Sequence, residues 1–375
     1  MSSVKKLLLA LPFVVAATAT AQAEMVIGAA ISTTGPIAAL GALQKNAYEM
    51  LPKEIGGVPV KLIIMDDGGD PRVAVQNVRK LIEEHKADVI LGSAATPVAM
   101  ATAAIAEQAK TPHISLAPIP TQPYRFSATA AIPVMIEGIV LHMKKKGYKT
   151  VGFIGFSDAL GDELFRHLSQ QCEAAGIKVV ANERYARADT SVAGQTLKVL
   201  GANPDAVMVG GSGTPAALPH MALVERGYKG QIYHSHATAV PDFLRVGGKL
   251  VEGAIIPTGP ILVAASLPDS NPIKKPALEF IKAYEAKHGP NTTTYFAASA
   301  YDGAAWLKVA VPVALKKGKP GTEAFRVALR DALENLKEVV GTTTISTLSP
   351  KDHIGADGRS RILVQVKDGK FVFLE

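Results

Sequence analysis

Short apolar runs alternate with amphipathic stretches along most of the chain. In the stretch 72–86, Val75, Val78 and Ile82 fall on one helical face, and charged residues occupy the opposite face. Continuous apolar runs between such helices are typical of parallel strands in a sheet that helices cover on both faces. The pattern therefore predicts a first series of strands at 26–31, 60–65, 88–91 and 113–116.

The same alternation returns in the second half of the chain, as a repeat of pattern without close sequence similarity. It predicts strands at 151–156, 177–181, 206–209, 232–234 and 253–257. After Leu267 the pattern predicts helices at 272–288, 296–316 (with a kink at Pro312) and 322–336, then strands at 362–366 and 371–374. The predicted fold class is α/β, with two doubly wound parallel-sheet lobes and a chain that crosses between them more than once.

The N-terminus has the pattern of an export signal. Lys5 and Lys6 precede an apolar run at 7–19, and Ala21-Gln22-Ala23 is a small-x-small cleavage site. The apolar run is shorter than the roughly 20 residues that a membrane-spanning helix needs. We therefore expect a signal peptide at 1–23 and a mature chain that begins at Glu24 in the periplasm.

Charge and cysteine content exclude several classes of function. Loss of Lys5 and Lys6 with the signal peptide lowers the formal charge from +7 to +5, and the remaining cations are scattered, so we expect no nucleic-acid partner. Cys172 is the only cysteine, which excludes an intramolecular disulfide and a cysteine-based metal site. His234 and His236 alternate on one side of a predicted strand, but no third ligand is identifiable, so we predict no metal and no cofactor.

The residues that follow the strands are the candidates for a binding site, because ligands of open α/β sheets bind at the carboxyl ends of the strands. Thr96 and Pro97 begin the predicted helix after the third strand. Thr96 is a suitable N-cap, and its hydroxyl beside free helix N–H groups could equally hold a carboxylate. The residues alone favour neither of these two interpretations over the other. After the fourth strand, 115–119 offers backbone groups in a loop that Pro118 constrains.

The order of several motifs resembles the leucine-binding-protein family, the type I periplasmic binding proteins of branched-chain amino acid type importers. The likeness extends over essentially the whole mature chain. The motifs that carry it are Ile31-Ser32-Thr33-Thr34-Gly35-Pro36, Asp66-Asp67-Gly68-Gly69-Asp70-Pro71, Gly92 through Thr96, His113-Ile114-Ser115, Gly210-Gly211 and Tyr301-Asp302-Gly303.

The resemblance implies a two-lobed clamp, with a first lobe at 24–139 plus 259–345 and a second lobe at 140–258 plus 346–375. A ligand carboxylate would be held by first-lobe groups at Ala95, Thr96, Ala117 and Ile119. The second lobe would close on the ligand, and the membrane permease of an ABC importer would recognise the closed form. We expect a monomer.

This sequence departs from the family at the positions that bind the ammonium group of an amino acid. Where relatives have a glutamate and tyrosines, it has His236, Ser212, Leu40 and Leu160, and Phe296 could add an aromatic wall. A buried ammonium without an anionic partner costs several kcal/mol. We therefore predict that the ligand is an aromatic or apolar carboxylic acid, with His236 as a hydrogen-bond donor to it.

Two alternatives stay open. Asp158, Asp162 or Asp302 could supply the missing negative charge, which would restore binding of a branched-chain or other amino acid for transport. The same fold could also present a ligand to a periplasmic receptor as a sensor. An enzyme is not expected, because the chain has neither the G-x-S-x-G motif of a serine hydrolase nor a Walker loop.

Overall fold

The computed structural model of the protein describes residues 23–129 and 131–374. The predicted signal peptide therefore lies, apart from Ala23, outside the described residues. The strands are β1 (Met25–Ile31), β2 (Glu54–Ile55), β3 (Val58–Asp66), β4 (Val89–Gly92), β5 (His113–Ser115), β6 (Arg125–Ser127), β7 (Thr150–Phe156), β8 (Lys178–Tyr185), β9 (Ala206–Gly210), β10 (Gln231–His234), β11 (Ile255–Thr258), β12 (Val339–Val340), β13 (Ile345–Ser346), β14 (Ile362–Lys367) and β15 (Lys370–Phe373).

The α-helices alternate with the strands until β11 and then dominate the next 80 or so residues, as the pattern predicts. They are α1 (Ala38–Tyr48), α2 (Pro71–Glu83), α3 (Thr96–Gln108), α4 (Ile132–Lys145), α5 (Ala159–Ala175), α6 (Ala193–Gly201), α7 (Ala217–Glu225), α8 (Pro241–Gly247), α9 (Lys274–His288), α10 (Tyr295–Ala314) and α11 (Glu323–Glu334). Pro312 lies in the last turn of α10.

The first sheet has the strand order β2-β3-β1-β4-β5-β6, and β1 pairs in parallel with both β3 and β4. Its central strands are buried because helices cover both faces, which is why they are continuous apolar runs. Helix α1 packs against α10, and α2 packs against α3.

The second sheet has the order β15-β14-β11-β10-β9-β7-β8. Its strands from β7 to β11 are parallel, whereas β14 pairs antiparallel with β11 and with β15. The two predicted α/β lobes are therefore present, and the fold class is confirmed, with an antiparallel hairpin added to the edge of the second sheet.

The assignment of residues to lobes stays a prediction, and two features bear on it. The predicted boundary after residue 139 falls inside α4, which packs against α5, β11 and β14 of the second sheet. His353, which we assigned to the second lobe, stacks on Phe126 of β6 with ring centroids 4.2 Å apart. Its Nε2 lies 3.1 Å from Glu334 Oε1 on α11. The segment after the predicted boundary at residue 345 therefore contacts the side of the first sheet.

The two halves of the molecule are packed together. Leu40 and Phe296, next to the first sheet, belong to the same cluster of buried apolar side chains as Ala217 and Phe243, next to the second sheet. A Cβ built at Gly213, beyond β9, would lie 3.9 Å from Leu40 Cδ1 on α1. The structure is therefore a closed form in which the start of α1 meets the loop after β9.

Candidate ligand-binding cleft

Both sheets have a point at which the strand order reverses, and these points locate the cleft. In the first sheet the order reverses between β1 and β4, and in the second it reverses between β7 and β9. Connections that leave neighbouring parallel strands toward opposite faces open a crevice beyond the carboxyl ends of those strands. Four of the predicted site residues follow these strands: Leu40, Thr96 and Leu160 lie in the first turn of the helices after β1, β4 and β7, and Ser212 lies in the loop after β9.

Thr96 does not occupy the N-cap position that the sequence predicts for it. Helix α3 begins at Thr96 itself, Ala95 is the N-cap, and no side chain caps the helix. The Thr96 side chain is 1% exposed, and its Oγ1 has no hydrogen-bond partner among the described residues. A buried hydroxyl without a partner is costly. The N–H groups in the first turn of any helix have no intrahelical acceptors, so this position suits an anionic ligand, to which Pro97 itself has no N–H to donate.

Ala117 and Ile119 lie beside α3 but do not offer free N–H groups. The N–H of Ala117 donates to Ser115 Oγ at 2.9 Å and to the Ser93 carbonyl at 3.2 Å. The N–H of Ile119 donates to Ser127 Oγ at 3.3 Å. Both side chains are buried in one small apolar cluster with residues of α3. These two residues therefore have apolar surface and carbonyl groups to offer a ligand, and no free N–H groups.

The three predicted apolar wall residues are buried, and they do not all share one cluster. Leu40 on α1 and Phe296 in the first turn of α10 belong to the cluster that also contains Ala95. Leu160, in the first turn of α5, belongs to the core of the second sheet, and its N–H donates to Asp158 Oδ1. Leu40, Ala95 and Phe296 thus belong to one extended apolar core, and Leu160 lies on the opposing half.

His236 lies where the two halves meet, directly after β10. It is the first residue of a 3₁₀-helix, His236–Thr238, and it makes an edge contact with Tyr295 of α10 at 6.1 Å between ring centroids. Burial lowers the pKa of His236 to about 4, so the ring is neutral at pH 7. Its Nδ1 is buried and has no partner within the part of the chain that the structure describes.

The expectation that His234 and His236 share one side of a strand is wrong, because β10 ends at His234. His234 Nε2 instead lies 2.8 Å from Nδ1 of His220, and its ring packs on Phe243. Within residues 23–129 and 131–374, no group of three or more His, Cys, Asp or Glu side chains could hold a metal ion.

Ser212 is bound by an arginine that sequence reasoning missed. Arg187, two residues after β8, donates its Nη1 to Ser212 Oγ at 2.9 Å and its Nε to Asp158 Oδ2 at 2.6 Å. Its guanidinium lies 4.2 Å from the centroid of the Phe156 ring. The only signal in the sequence is a cation soon after a strand, which is too common to identify a site.

The three aspartates that could have bound an ammonium group are already engaged. Asp158 caps α5 and pairs with Arg187, and Asp162 is 74% exposed and pairs with Arg184. Asp302 is fully buried, and burial raises its pKa to about 6. The carboxylate of Asp302 accepts backbone and hydroxyl hydrogen bonds from the three residues Thr342, Thr343 and Thr344.

Comparison with known proteins identifies the family. A model of a periplasmic binding protein family matches residues 24–370, which is most of the chain. The chain belongs to this periplasmic binding protein family. A Leu/Ile/Val-binding protein homolog from Brucella abortus is 25% identical over 388 residues, with 95% of this chain and 92% of that protein covered.

Solved structures agree with both the family and the fold. An extracellular ligand-binding receptor from Rhodopseudomonas palustris HaA2 is 48% identical, with a TM-score of 0.92, and covers 94% of this chain and 100% of its own. A solute-binding protein of an ABC transporter from R. palustris, in complex with benzoate, is 21% identical with a TM-score of 0.75 and covers 94% and 95%.

Membership of this family defines the general role of this periplasmic binding protein. Such proteins are type I solute-binding components of ABC transporters, and they act in the periplasm by binding a small molecule, without catalysis. The resemblance that the motifs carried is therefore confirmed, as is the expectation that the chain is not an enzyme. None of the helices that the structure describes combines the length and apolar content needed to cross a membrane.

Proposed function

We propose that this protein captures an aromatic or other apolar carboxylic acid between its two halves and delivers it to the permease of an ABC importer. The observation that carries the proposal is the Thr96 hydroxyl, buried and unpartnered among the described residues at the start of α3. A carboxylate would accept hydrogen bonds from this hydroxyl and from the free N–H groups of the first turn.

The surroundings of Thr96 favour an apolar ligand body. Leu40 and Phe296 share a buried cluster with Ala95, and Ala117 and Ile119 add apolar surface beside α3. Burial of a ring against such side chains contributes roughly 25 cal/mol per Å² of apolar surface removed from water. The benzoate complex of the more distant R. palustris protein is compatible with this ligand class, although at 21% identity that likeness concerns the fold alone.

The candidate ammonium-binding groups are either already paired or neutral, and this disfavours an α-amino acid as the ligand. Asp158, Asp162 and Asp302 already have partners, and His236, which we expect at the position of the family's glutamate, has a neutral ring. An ammonium buried there would have no anionic partner among these groups, and this costs several kcal/mol. A ligand without an ammonium group avoids this cost. It can form a hydrogen bond with the neutral His236 ring at Nδ1, which has no partner among the described residues.

One observation favours amino-acid capture as the second candidate. Asp67 follows β3 at the same edge of the first sheet, is 2% exposed, and has an Oδ2 without a partner among the described residues. Its Oδ1 accepts from Ser32 Oγ. Burial raises the pKa of Asp67, which disfavours the charged form that an ammonium would need. We therefore rank this candidate second.

A thermal-shift screen of the ligand-stripped mature protein, residues 24–375, separates the two candidates. One panel contains aromatic carboxylic acids such as benzoate and cinnamate, and the other contains leucine, isoleucine and valine. A ligand at one hundred times its Kd adds about 2.7 kcal/mol of apparent stability. We expect the melting temperature to rise with aromatic acids alone. A rise with the amino acids alone would overturn the proposal, and the same screen with Asp67→Asn would then test the second candidate.

A further inference from the structure

Arg187 spans the crevice of the second sheet. The order of that sheet reverses between β7 and β9, and Asp158 follows β7 while Ser212 follows β9. Arg187 enters from the neighbouring strand β8 and bonds to both residues, through Nε to Asp158 and through Nη1 to Ser212. Its guanidinium therefore lies across the place where ligands of such sheets bind, and the Phe156 ring beneath it fixes its plane.

The remaining nitrogen of this guanidinium is unused. Arg187 Nη2 is buried and has no hydrogen-bond partner among the described residues, although Nε and Nη1 are both bonded. Ser212, its partner, precedes Gly213, whose built Cβ would lie 3.9 Å from Leu40 of the opposing half. Helix α5, which Asp158 caps, packs against α3, which begins at Thr96. Arg187 and Thr96 thus lie on opposing halves of the molecule, close to the contacts through which these halves meet.

The charges around Arg187 determine which ligand group its Nη2 suits. The carboxylate of Asp158, 2.6 Å from Arg187 Nε, already compensates the guanidinium, so the pair is neutral overall. His236 is neutral as well. A second ligand carboxylate here would be a buried charge without compensation, and that is costly. A neutral oxygen accepts the hydrogen bond without this cost.

We propose that Arg187 is a specificity-determining residue, whose Nη2 donates to a neutral oxygen at the end of the ligand opposite its carboxylate. This inference rests on the proposed function, because it assumes that Thr96 and the start of α3 hold the carboxylate. It narrows the ligand class to apolar acids that carry a hydroxyl or another neutral acceptor at the far end.

Isothermal titration calorimetry with three acids of one scaffold tests the inference. The probes are cinnamate, 4-hydroxycinnamate and 4-carboxycinnamate, which differ only at the ring position opposite the side chain. Because hydrogen bonds to charged groups are the strong ones, we expect the unaltered protein to bind 4-hydroxycinnamate about 10- to 100-fold more tightly than cinnamate. We expect 4-carboxycinnamate to bind more weakly than 4-hydroxycinnamate.

Arg187→Gln should abolish the preference for the hydroxyl while cinnamate still binds. Arg187→Lys keeps a cation beside Asp158 but cannot serve Asp158, Ser212 and a ligand at once, so it should retain the melting temperature and lose the preference. Arg184→Gln is the matched control. Arg184 lies at the edge of the same region, and its Nη1 donates to the Phe156 carbonyl and pairs with Asp162. This control should keep the preference.

Three results would overturn the inference. An equal loss of affinity for cinnamate and 4-hydroxycinnamate in both Arg187 variants would give the arginine a purely structural role. Tightest binding of 4-carboxycinnamate would contradict the neutral acceptor. Failure of the unaltered protein to bind any of the three acids would contradict the proposed function itself, and it is the one result that removes both claims together.

Discussion

Replacement of Thr96 by valine separates a ligand-binding hydroxyl from a structural one. Valine has nearly the shape of threonine, so the change removes the hydroxyl and little else. In the structure this hydroxyl is 1% exposed and has no partner within the described residues, and Ala95 occupies the N-cap position of α3. The unliganded protein therefore loses no hydrogen bond when the hydroxyl is removed, whereas a bound carboxylate does.

The magnitude follows from the chemistry of the lost bond. A hydrogen bond to a charged group is worth about 1.5–3 kcal/mol, which corresponds to a loss of affinity of about 10- to 150-fold. Urea unfolding of the ligand-free Thr96→Val variant should show an unfolding free energy no lower than that of the unaltered protein. Isothermal titration with cinnamate gives the affinity, and the two measurements together distinguish the roles.

Thr102→Val is the matched control on the same helix. Thr102 is also fully buried, but its Oγ1 donates to the carbonyl groups of Val98 and Ala99 and lies 3.1 Å from His113 Nε2. This variant should lose stability and keep its affinity. If Thr96→Val instead lowered the unfolding free energy by about 1 kcal/mol, as the loss of a helix cap does, and left the affinity unchanged, the reasoning would be refuted.

Three further predictions follow from the same contacts. Burial lowers the pKa of His220 and of His236 to about 4 and that of His234 well below its usual value, against about 6.5 in the unfolded chain. These three histidines should therefore contribute their full stability above pH 6.5 and lose it as the pH drops toward 4, by up to about 1.4 kcal/mol per pH unit each, while the raised pKa of Asp302 offsets part of this loss. Urea titrations at several pH values measure this fall, and a constant unfolding free energy from pH 7 to pH 4.5 would contradict it. His236→Glu should shift the preference from aromatic acids toward leucine in a thermal-shift screen, and an unchanged preference would remove His236 from the glutamate position. Asp302→Ala should lower the unfolding free energy by at least about 2 kcal/mol, because it leaves buried donors of the segment Thr342–Thr344 unpaired, while the affinity for cinnamate stays the same. A loss of affinity without a loss of stability would instead give Asp302 a role in ligand binding.

The buried parallel strands could be predicted from the sequence because helices on both faces require continuous apolar runs. Strands with an exposed face were predicted less well. The predicted strand 177–181 ends early, whereas β8 continues to Tyr185 at the edge of the second sheet, through the polar residues Asn182 and Glu183. Strand β6, at the opposite edge of the first sheet, was missed, because three residues carry too little pattern.

The candidate site was only partly predictable, and the reason is again physical. The residues after the strands indicated Thr96, because the carboxyl ends of parallel strands share one edge, and the family resemblance indicated His236. Arg187 is separated by 25 or more residues from both of its partners, Ser212 and Asp158, so no local spacing reveals it. The partners of Asp302 are likewise 40 or more residues away, and only the folded chain shows that it is engaged.

A crystal structure of the mature protein with cinnamate tests the central claim most directly. The account predicts a closed form with one cinnamate between the two sheets, its carboxylate within hydrogen-bond distance of Thr96 Oγ1 and its ring against Leu40 and Phe296. A carboxylate bound elsewhere, with the Thr96 hydroxyl free of contact to the ligand, would contradict the account.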